Sequence, residues 1–272
     1  MIFPDYHLHT SFSADSTEDI YKIIDTAKSK GMTSICITDH YDMDFPVIKE
    51  APDMKFDLDI PNYISRLNTI KNEITSDFDL RIGIELGTMP STLKKLTKFV
   101  EANPYFDFII ASTHIVDNMD PYYPSYFEGR SYKDGHRRYF EDELYAVTNY
   151  SAYDVYGHLD YILRYGRDPE NPFDPMNFMD IFEEIFKQII SRGKGIELNT
   201  GGLYKDLNQT HPRKEYLKLY KKLGGEIITI GSDAHTADKI GYGFDKAKDL
   251  LIECGFKYYC TFKDRKATYN PI

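Results

Sequence analysis

His7-Leu8-His9 sets two imidazoles two residues apart. In an extended strand, residues i and i+2 face the same side, so both rings can grip one ion. Asp233-Ala234-His235 repeats that spacing with a carboxylate. Convergent histidine and carboxylate ligands suit zinc, manganese or iron. The chain has eight histidines. Six of them (His7, His9, His40, His114, His158 and His235) fall at or just past the ends of short apolar segments. Glu85, closing Arg-Ile-Gly-Ile-Glu, and Asp233, closing Ile-Thr-Ile-Gly-Ser-Asp, stand in the same kind of place. Gathering so many titratable groups without a metal would leave several unpaired, at roughly 1–3 kcal/mol each. The pattern therefore predicts a metal site. His136, in the polar run Asp134-Gly135-His136-Arg137-Arg138, and His211, before Pro212, lie outside it and are expected at the surface.

The elements that must position these groups are legible too. Apolar, β-rich segments occur at 2–8, 34–38, 81–86, 106–112, 155–157, 195–199, 226–230 and 258–262. Most are continuously apolar, as in parallel strands covered on both faces. Helical patterns lie between them at 18–29, 63–75, 91–101, 138–148, 176–192, 212–223 and 245–253. Gly31, Gly193 and Gly224 sit where helix C-caps belong. Alternation of strand and helix predicts an α/β fold with a parallel sheet. No GxGxxG or P-loop glycines follow the first strand, so a closed (β/α) barrel fits better than an open sheet. With no linker or repeat, residues 1–272 read as a single domain.

Composition narrows the function. Hydrophobic residues make up 42% of the 272, enough for a sizeable core. Lys+Arg number 33 against 43 Asp+Glu, a net charge of −10. That disfavours a nucleic-acid partner, which needs a basic face. A small phosphorylated substrate stays possible, because bound cations can reverse the local sign. The start lacks a signal peptide's basic and apolar regions, and no apolar run approaches the ~20 residues that span a bilayer. Three cysteines without CxxC spacing, Cys36 in an apolar run, predict buried thiols in a reducing compartment. A soluble cytoplasmic protein without a membrane partner is expected. No Gly-x-Ser-x-Gly elbow is present and no cysteine stands beside a base, so covalent catalysis has no candidate nucleophile.

Six motifs in chain order then carry a resemblance: Asp5-Tyr6-His7-Leu8-His9-Thr10, Ile37-Thr38-Asp39-His40, Gly83-Ile84-Glu85, Ser112-Thr113-His114, Gly157-His158-Leu159-Asp160 and Gly231-Ser232-Asp233-Ala234-His235. Together they resemble the PHP (polymerase and histidinol phosphatase) family. The resemblance implies a distorted (β/α)7 barrel holding three divalent metals, zinc, manganese or iron. Carried over, His7, His9, Glu85 and Asp233 would hold the first metal. Glu85 would bridge to a second held by His114 and His158, and Asp15, His40 and His235 would hold the third. Many relatives have histidine in place of Asp15, and the 13–16 stretch can also be read as a helix start capped by Ser16. Asp39 and Asp160 would orient imidazoles. Three carboxylates against three divalent ions leave the site near about +3, suited to a phosphate dianion.

The chain length and the 196–203 segment are similar to the members that hydrolyse L-histidinol phosphate to L-histidinol and inorganic phosphate in histidine biosynthesis. The implied mechanism is in-line attack of a metal-bound hydroxide on phosphorus, with Asp233 taking the proton. Arg164, Arg167 and Asn199 are candidates for the phosphate. Asp42, Asp44, Asp117 and Asp160 are candidates for the ammonium and imidazole. The aromatic run 122–127, within the long 117–134 loop, reads either as a lid or as packing. Nucleotides or nucleic-acid 3′ ends are a second substrate reading, which the acidic balance disfavours. A non-catalytic module would have lost ligands, and here every expected position carries His, Asp or Glu.

Overall fold

In a computed structural model, which describes residues 3–170, 172–205 and 207–272, seven short strands run parallel. They are β1 (Ser34–Ile37), β2 (His40–Tyr41), β3 (Asp79–Gly87), β4 (Phe108–Ser112), β5 (Val155–Tyr156), β6 (Gly195–Asn199) and β7 (Ile228–Gly231). Their order is β1-β3-β4-β5-β6-β7, with β2 continuing the line of β1 beside β3. Seven helices follow in alternation: α1 (Ile20–Ser29), α2 (Ile60–Glu73), α3 (Leu93–Ala102), α4 (Tyr132–Asn149), α5 (Met179–Ser191), α6 (Lys214–Lys222) and α7 (Phe244–Glu253). None of the described helices is long and apolar enough to cross a membrane.

The expected strand at 2–8 starts outside the described residues, at Ile2. The rest is not a regular strand but a stave joined to both edges of the sheet. Cys36 N donates to Asp5 O and Thr38 N to Leu8 O on one side; Tyr6 N donates to Ile230 O and Asp233 N to His7 O on the other. This closes the curled sheet into the distorted barrel. The Asp5 carboxylate reinforces the closure, accepting from Ser232 N and Gly241 N at 2.9 Å each.

The segment expected as an eighth parallel strand leaves the barrel. Tyr258–Lys263 (β8) pairs antiparallel with Lys266–Pro271 (β9), across a turn in which Asp264 and Arg265 take φ of 48° and 63°. Such a turn matches the twist of a two-residue hairpin. The hairpin packs under the barrel, where Cys260 and Phe262 join Tyr6, Cys36, Phe108, Ile110 and Val155. Only a two-residue turn joins it to β9, which suits an antiparallel pair and is too short for a parallel crossover, and an apolar run alone does not distinguish the two pairings. All three cysteines are free and buried.

Helix ends follow local chemistry. Gly31, Gly193 and Gly224 have positive φ just past α1, α5 and α6, as their capping role requires. The N-cap of α1 is Asp19, which accepts from Tyr21 N and Lys22 N, and not Ser16. Ser16 Oγ instead donates to His235 O. Helix α4 starts six residues before the expected 138, capped by Ser131. That extension draws His136 inward, among Phe127, Phe173 and Phe178. His136 is therefore buried, contrary to the surface expectation, and burial pushes it down to about 4.

Many of the 23 tyrosines have a structural use. Tyr63 Oη donates to Gly83 O, Tyr139 Oη to Thr113 O, and Tyr156 Oη lies 2.9 Å from Thr88 Oγ1. Each ring fills the helix–sheet layer while its hydroxyl satisfies a polar group near a strand end.

Two expectations follow. Asp5→Ala strands the backbone donors of His7, Ser232 and Gly241 and should cost on the order of 2–4 kcal/mol, read as a lower urea midpoint at unchanged m-value; an unchanged midpoint would contradict this closure. Glu143 of α4 is wholly buried with both oxygens unpartnered, and burial pushes its carboxyl well above the ordinary 4.5. Above that value the folded state holds a proton that the unfolded state has lost, so stability falls as pH rises, by at most about 1.4 kcal/mol per pH unit. Glu143→Gln should flatten that decline in urea unfolding series between pH 5 and 8.

Candidate metal centre and cavity

The strand register brings the site together. His40 of β2 lies directly beside Glu85 of β3. Thr10, Ser13 and Asp39 shape the neighbouring loop: Asp39 accepts from Thr10 N at 2.7 Å and from Ser13 Oγ at 2.7 Å. His7 and His9 come from the closing stave, His114 and His158 follow β4 and β5, and Asp233 and His235 follow β7. Asp15 reaches in from the loop before α1. All nine residues expected to bind metal thus converge.

Glu85 is the centre. Its Oε2 lies 3.1 Å from His7 Nε2, 3.6 Å from His9 Nε2 and 2.9 Å from His40 Nδ1. Its Oε1 lies 2.9 Å from His158 Nε2 and 3.2 Å from His114 Nε2. Asp233 Oδ1 stands 3.5 Å from His9 Nε2 and 4.0 Å from His7 Nε2. Asp15 Oδ2 approaches His235 Nε2 at 3.0 Å and His40 Nε2 at 3.7 Å. Side-chain atoms close enough to share an ion occur in the sets His7–His9–Glu85, Glu85–His114–His158, His9–His40–His235 and His40–Asp42–His114.

Outer partners determine which imidazole nitrogen faces inward. His7 Nδ1 is 2.6 Å from Glu197 Oε1, and His114 Nδ1 is 2.7 Å from Asp42 Oδ2. Carboxylates only accept, so both rings carry hydrogen on Nδ1. His235 Nδ1 donates to Asp233 O at 3.0 Å. Ser13 Oγ uses its single hydrogen on Asp39, so His9 Nδ1 donates to it at 3.1 Å. In their neutral forms all four rings therefore turn a bare Nε2 inward. His7 Nε2, His9 Nε2, His40 Nδ1 and Glu85 Oε2 are buried without hydrogen-bond partners. Lone pairs facing lone pairs at about 3 Å repel unless a cation or proton lies between them. Protonation alone cannot satisfy every ring. Burial opposes charge on His7, yet Glu197 and Glu85 raise it well above the usual range; His9 is lowered well below by burial and then by His235 and His40. Burial likewise opposes ionisation of Glu85, but His7, His40 and His114 hold it well below the usual range. The donor set fits divalent cations.

Above the cluster lies a cavity of about 370 Å³. One wall is polar, with Arg164, Lys205, Asp233 and His235. The other is apolar, with Phe45, Met54, Phe56 and Tyr123. Arg164 and Asp42 line it as expected, Asp42 serving His114 at the same time. Burial opposes ionisation of Asp233, but Lys205 and Arg164 hold it well below the usual range.

Several expected residues are placed otherwise. Asn199 is buried and bonds Glu197, Gly201 N and Arg164 rather than facing the cavity. Asp160 is buried beside His211 and Arg213 N, away from both the metal-facing imidazoles and the cavity. His211, expected at the surface, is fully buried. Arg167 turns away and donates to Arg164 O at 3.2 Å. Asp44 pairs with Lys95, and Asp117 with Arg130 and Arg138. The aromatic loop divides: Tyr122 and Tyr123 line the cavity, whereas Tyr126 is buried against α4 and donates to Gly135 O. Glu197, Asp120 and Lys205 were not anticipated. A charged residue inside the apolar strand Gly-Ile-Glu-Leu-Asn was the available sign of Glu197.

Comparison with known proteins agrees with this geometry. Residues 5–201 match the PHP domain family. A histidinol-phosphatase of Lactococcus lactis subsp. lactis is 33% identical over 98% of this chain and 96% of its own. A probable histidinol-phosphatase of Clostridium acetobutylicum is 31% identical over 94% of this chain and 95% of its own. The crystal structure of the Lactococcus histidinol phosphate phosphatase with zinc, L-histidinol and phosphate superposes with a TM-score of 0.88, at 31% identity and 98% of both chains.

If Glu85 links two metal positions, Glu85→Gln should lose at least one equivalent of bound divalent metal by elemental analysis and melt at lower temperature. Full metal content in that variant would remove the linking role.

Proposed function

The chain belongs to the PHP-domain family, and we propose that it is a metal-dependent phosphomonoesterase converting L-histidinol phosphate to L-histidinol and inorganic phosphate, a step of histidine biosynthesis. The observation that carries this reading is the convergence of His7, His9, Asp15, His40, His114, His158, Asp233 and His235 around Glu85 at the floor of a cavity of small-molecule size. The likeness to histidinol-phosphatases over nearly the whole chain supports the substrate.

Three sets would hold divalent metals: His7, His9, Glu85 and Asp233; Glu85, His114 and His158; and Asp15, His40 and His235. When bound there, such cations supply Lewis acidity toward water and neutralise phosphoryl charge. The chain's own groups do the rest. Glu197, Asp42 and Ser13 fix the tautomers of His7, His114 and His9, so the ligand lone pairs stay aimed inward. Arg164 and Lys205 face the phosphoryl group from the polar wall. Asp233, kept ionised by those two cations, orients the attacking water and takes its proton as charge develops.

The leaving alcohol then lies toward the apolar wall, where Phe45, Phe56 and Tyr123 can enclose an imidazole. Asp120, raised to about 6 by burial, and Asp42 are the carboxyls at hand for the ammonium. An acidic chain with a cavity of this size suits a small ester better than a nucleic acid. Its free thiols suit the cytoplasm, where residues 1–272 would act as one catalytic unit.

The metal-replete protein should release phosphate from L-histidinol phosphate with kcat/KM at or above about 10⁴ M⁻¹s⁻¹, far above its rate on a generic aryl phosphate. Equal rates on the two esters would remove the substrate assignment and leave the metal site. Asp233→Ala should abolish turnover in both cases.

A further inference from the structure

Arg164 enters the cavity from the turn after His158, and its guanidinium is held on several sides. Nη2 donates to Asp233 Oδ2 at 2.8 Å and to Asn199 Oδ1 at 3.4 Å, while Nε donates to His211 Nε2 at 3.0 Å. The Tyr161 ring lies 4.7 Å from Cζ. Nη1 donates to none of the described residues, which leaves its two hydrogens for a ligand in the cavity that Arg164 lines.

The bond from Nε is the informative one. A guanidinium stays protonated, so Nε can only donate and His211 Nε2 must be bare. The proton of neutral His211 is then on Nδ1, donated to Asp160 Oδ1 at 2.5 Å. The other Asp160 oxygen accepts from Arg213 N at 2.9 Å. Both residues are fully buried. The His211 backbone is pinned to the end of β6, accepting from Asn199 N at 2.7 Å and donating to Asn199 O at 2.8 Å. Neither side chain lines the cavity, and among the described residues the one group that His211 Nε2 serves is Arg164.

We infer that the buried Asp160–His211 pair is a positioning device that holds Arg164 with the Nη1 edge toward the phosphoryl oxygens of the bound ester. The inference rests on the phosphatase reading. Its physical content is a competition for the guanidinium. Asp233 is a carboxylate next to a planar fork of donors, and an unrestrained arginine would turn to meet it with two parallel bonds. That rotation would withdraw Nη1 from the substrate. The acceptor at His211 Nε2 fixes Nε and limits Asp233 to a single nitrogen. Asp160 in turn fixes the tautomer, since an Nε2–H on His211 would confront the Nε–H of Arg164.

Groups that orient metal ligands are typically worth about 10–100-fold, and a positioning pair behind Arg164 is expected to act on the same scale. His211→Phe fills the space without the acceptor. It should lower kcat/KM at least tenfold for L-histidinol phosphate and for a generic aryl phosphate alike. It should also weaken inhibition by inorganic phosphate by a similar factor, with bound metal unchanged. His211→Gln, whose Oε1 can accept from Nε, should recover most of the loss. In an Arg164→Gln background, His211→Phe should add less than a twofold effect. Should His211→Phe fail to fold, Asp160→Asn reads the same coupling by favouring the opposing tautomer, with a loss again confined to the Arg164 background. Wild-type rates and phosphate inhibition in His211→Phe overturn the inference, as does an equal loss in the Arg164→Gln background or no recovery with Gln. A wild type that releases phosphate from neither ester overturns the phosphatase reading as well, so the two failures are distinguishable.

Discussion

A single buried carboxylate sets the demands that the rest of the molecule meets. Glu85 sits with no solvent exposure, and five imidazole nitrogens lie within 3.6 Å of its two oxygens. Such a group is costly to bury ionised and without cations. It also cannot be surrounded by bare nitrogens unless positive charge lies between them. The arrangement therefore requires cations at the centre and rigid support around it. The support is visible as a layer formed by Glu197, Asp42 and Ser13, which hold the outer nitrogens of His7, His114 and His9, with Asp39 behind Ser13. This is the layer in which misplacement would be least tolerated, because it sets where lone pairs point.

The barrel is built to deliver that layer. Its strands are as short as two residues, and only β3 is long. Two of the rings come from residues 7 and 9, which belong to no regular strand. The closing stave is held in place by backbone bonds to both neighbours and by Asp5, so the same contacts that seal the barrel fix His7 and His9 in the cluster. At the other end of the barrel the β8–β9 hairpin covers the core. Stability and site geometry thus share their contacts at one end and separate at the other.

The cavity combines opposite characters in one lining. Arg164 and Lys205 make one wall cationic inside a protein whose net charge is −10, and aromatic and aliphatic side chains make the other apolar. A molecule with a phosphoryl group at one end and a flat ring at the other is complementary to both. Asp160 and His211 stand behind the cationic wall, where their charge and hydrogen bonding act on the arginine and not on the ligand.

Residue type and spacing alone determined much of this protein. The His-x-His pair, the histidines and acids at strand ends and the βα alternation were enough to predict a barrel with six histidines, Glu85 and Asp233 on one rim, because a parallel barrel gathers its strand ends on one face; Asp15 entered the set only through the family resemblance. The tertiary structure decided what local pattern cannot encode. His136 and His211 look like surface residues in their polar surroundings, and only the packing of α4 and the end of β6 buries them. Asn199 and Asp160 stand at strand ends like true cavity residues, yet neighbouring side chains take up their hydrogen bonds first. The segment 258–263 has the composition of a barrel strand, and its partner proves to be a hairpin neighbour. In each case the deciding quantity is which group from a distant part of the chain claims a hydrogen bond or a volume. That competition is settled in three dimensions, because a donor can satisfy only the acceptor that folding brings within about 3 Å.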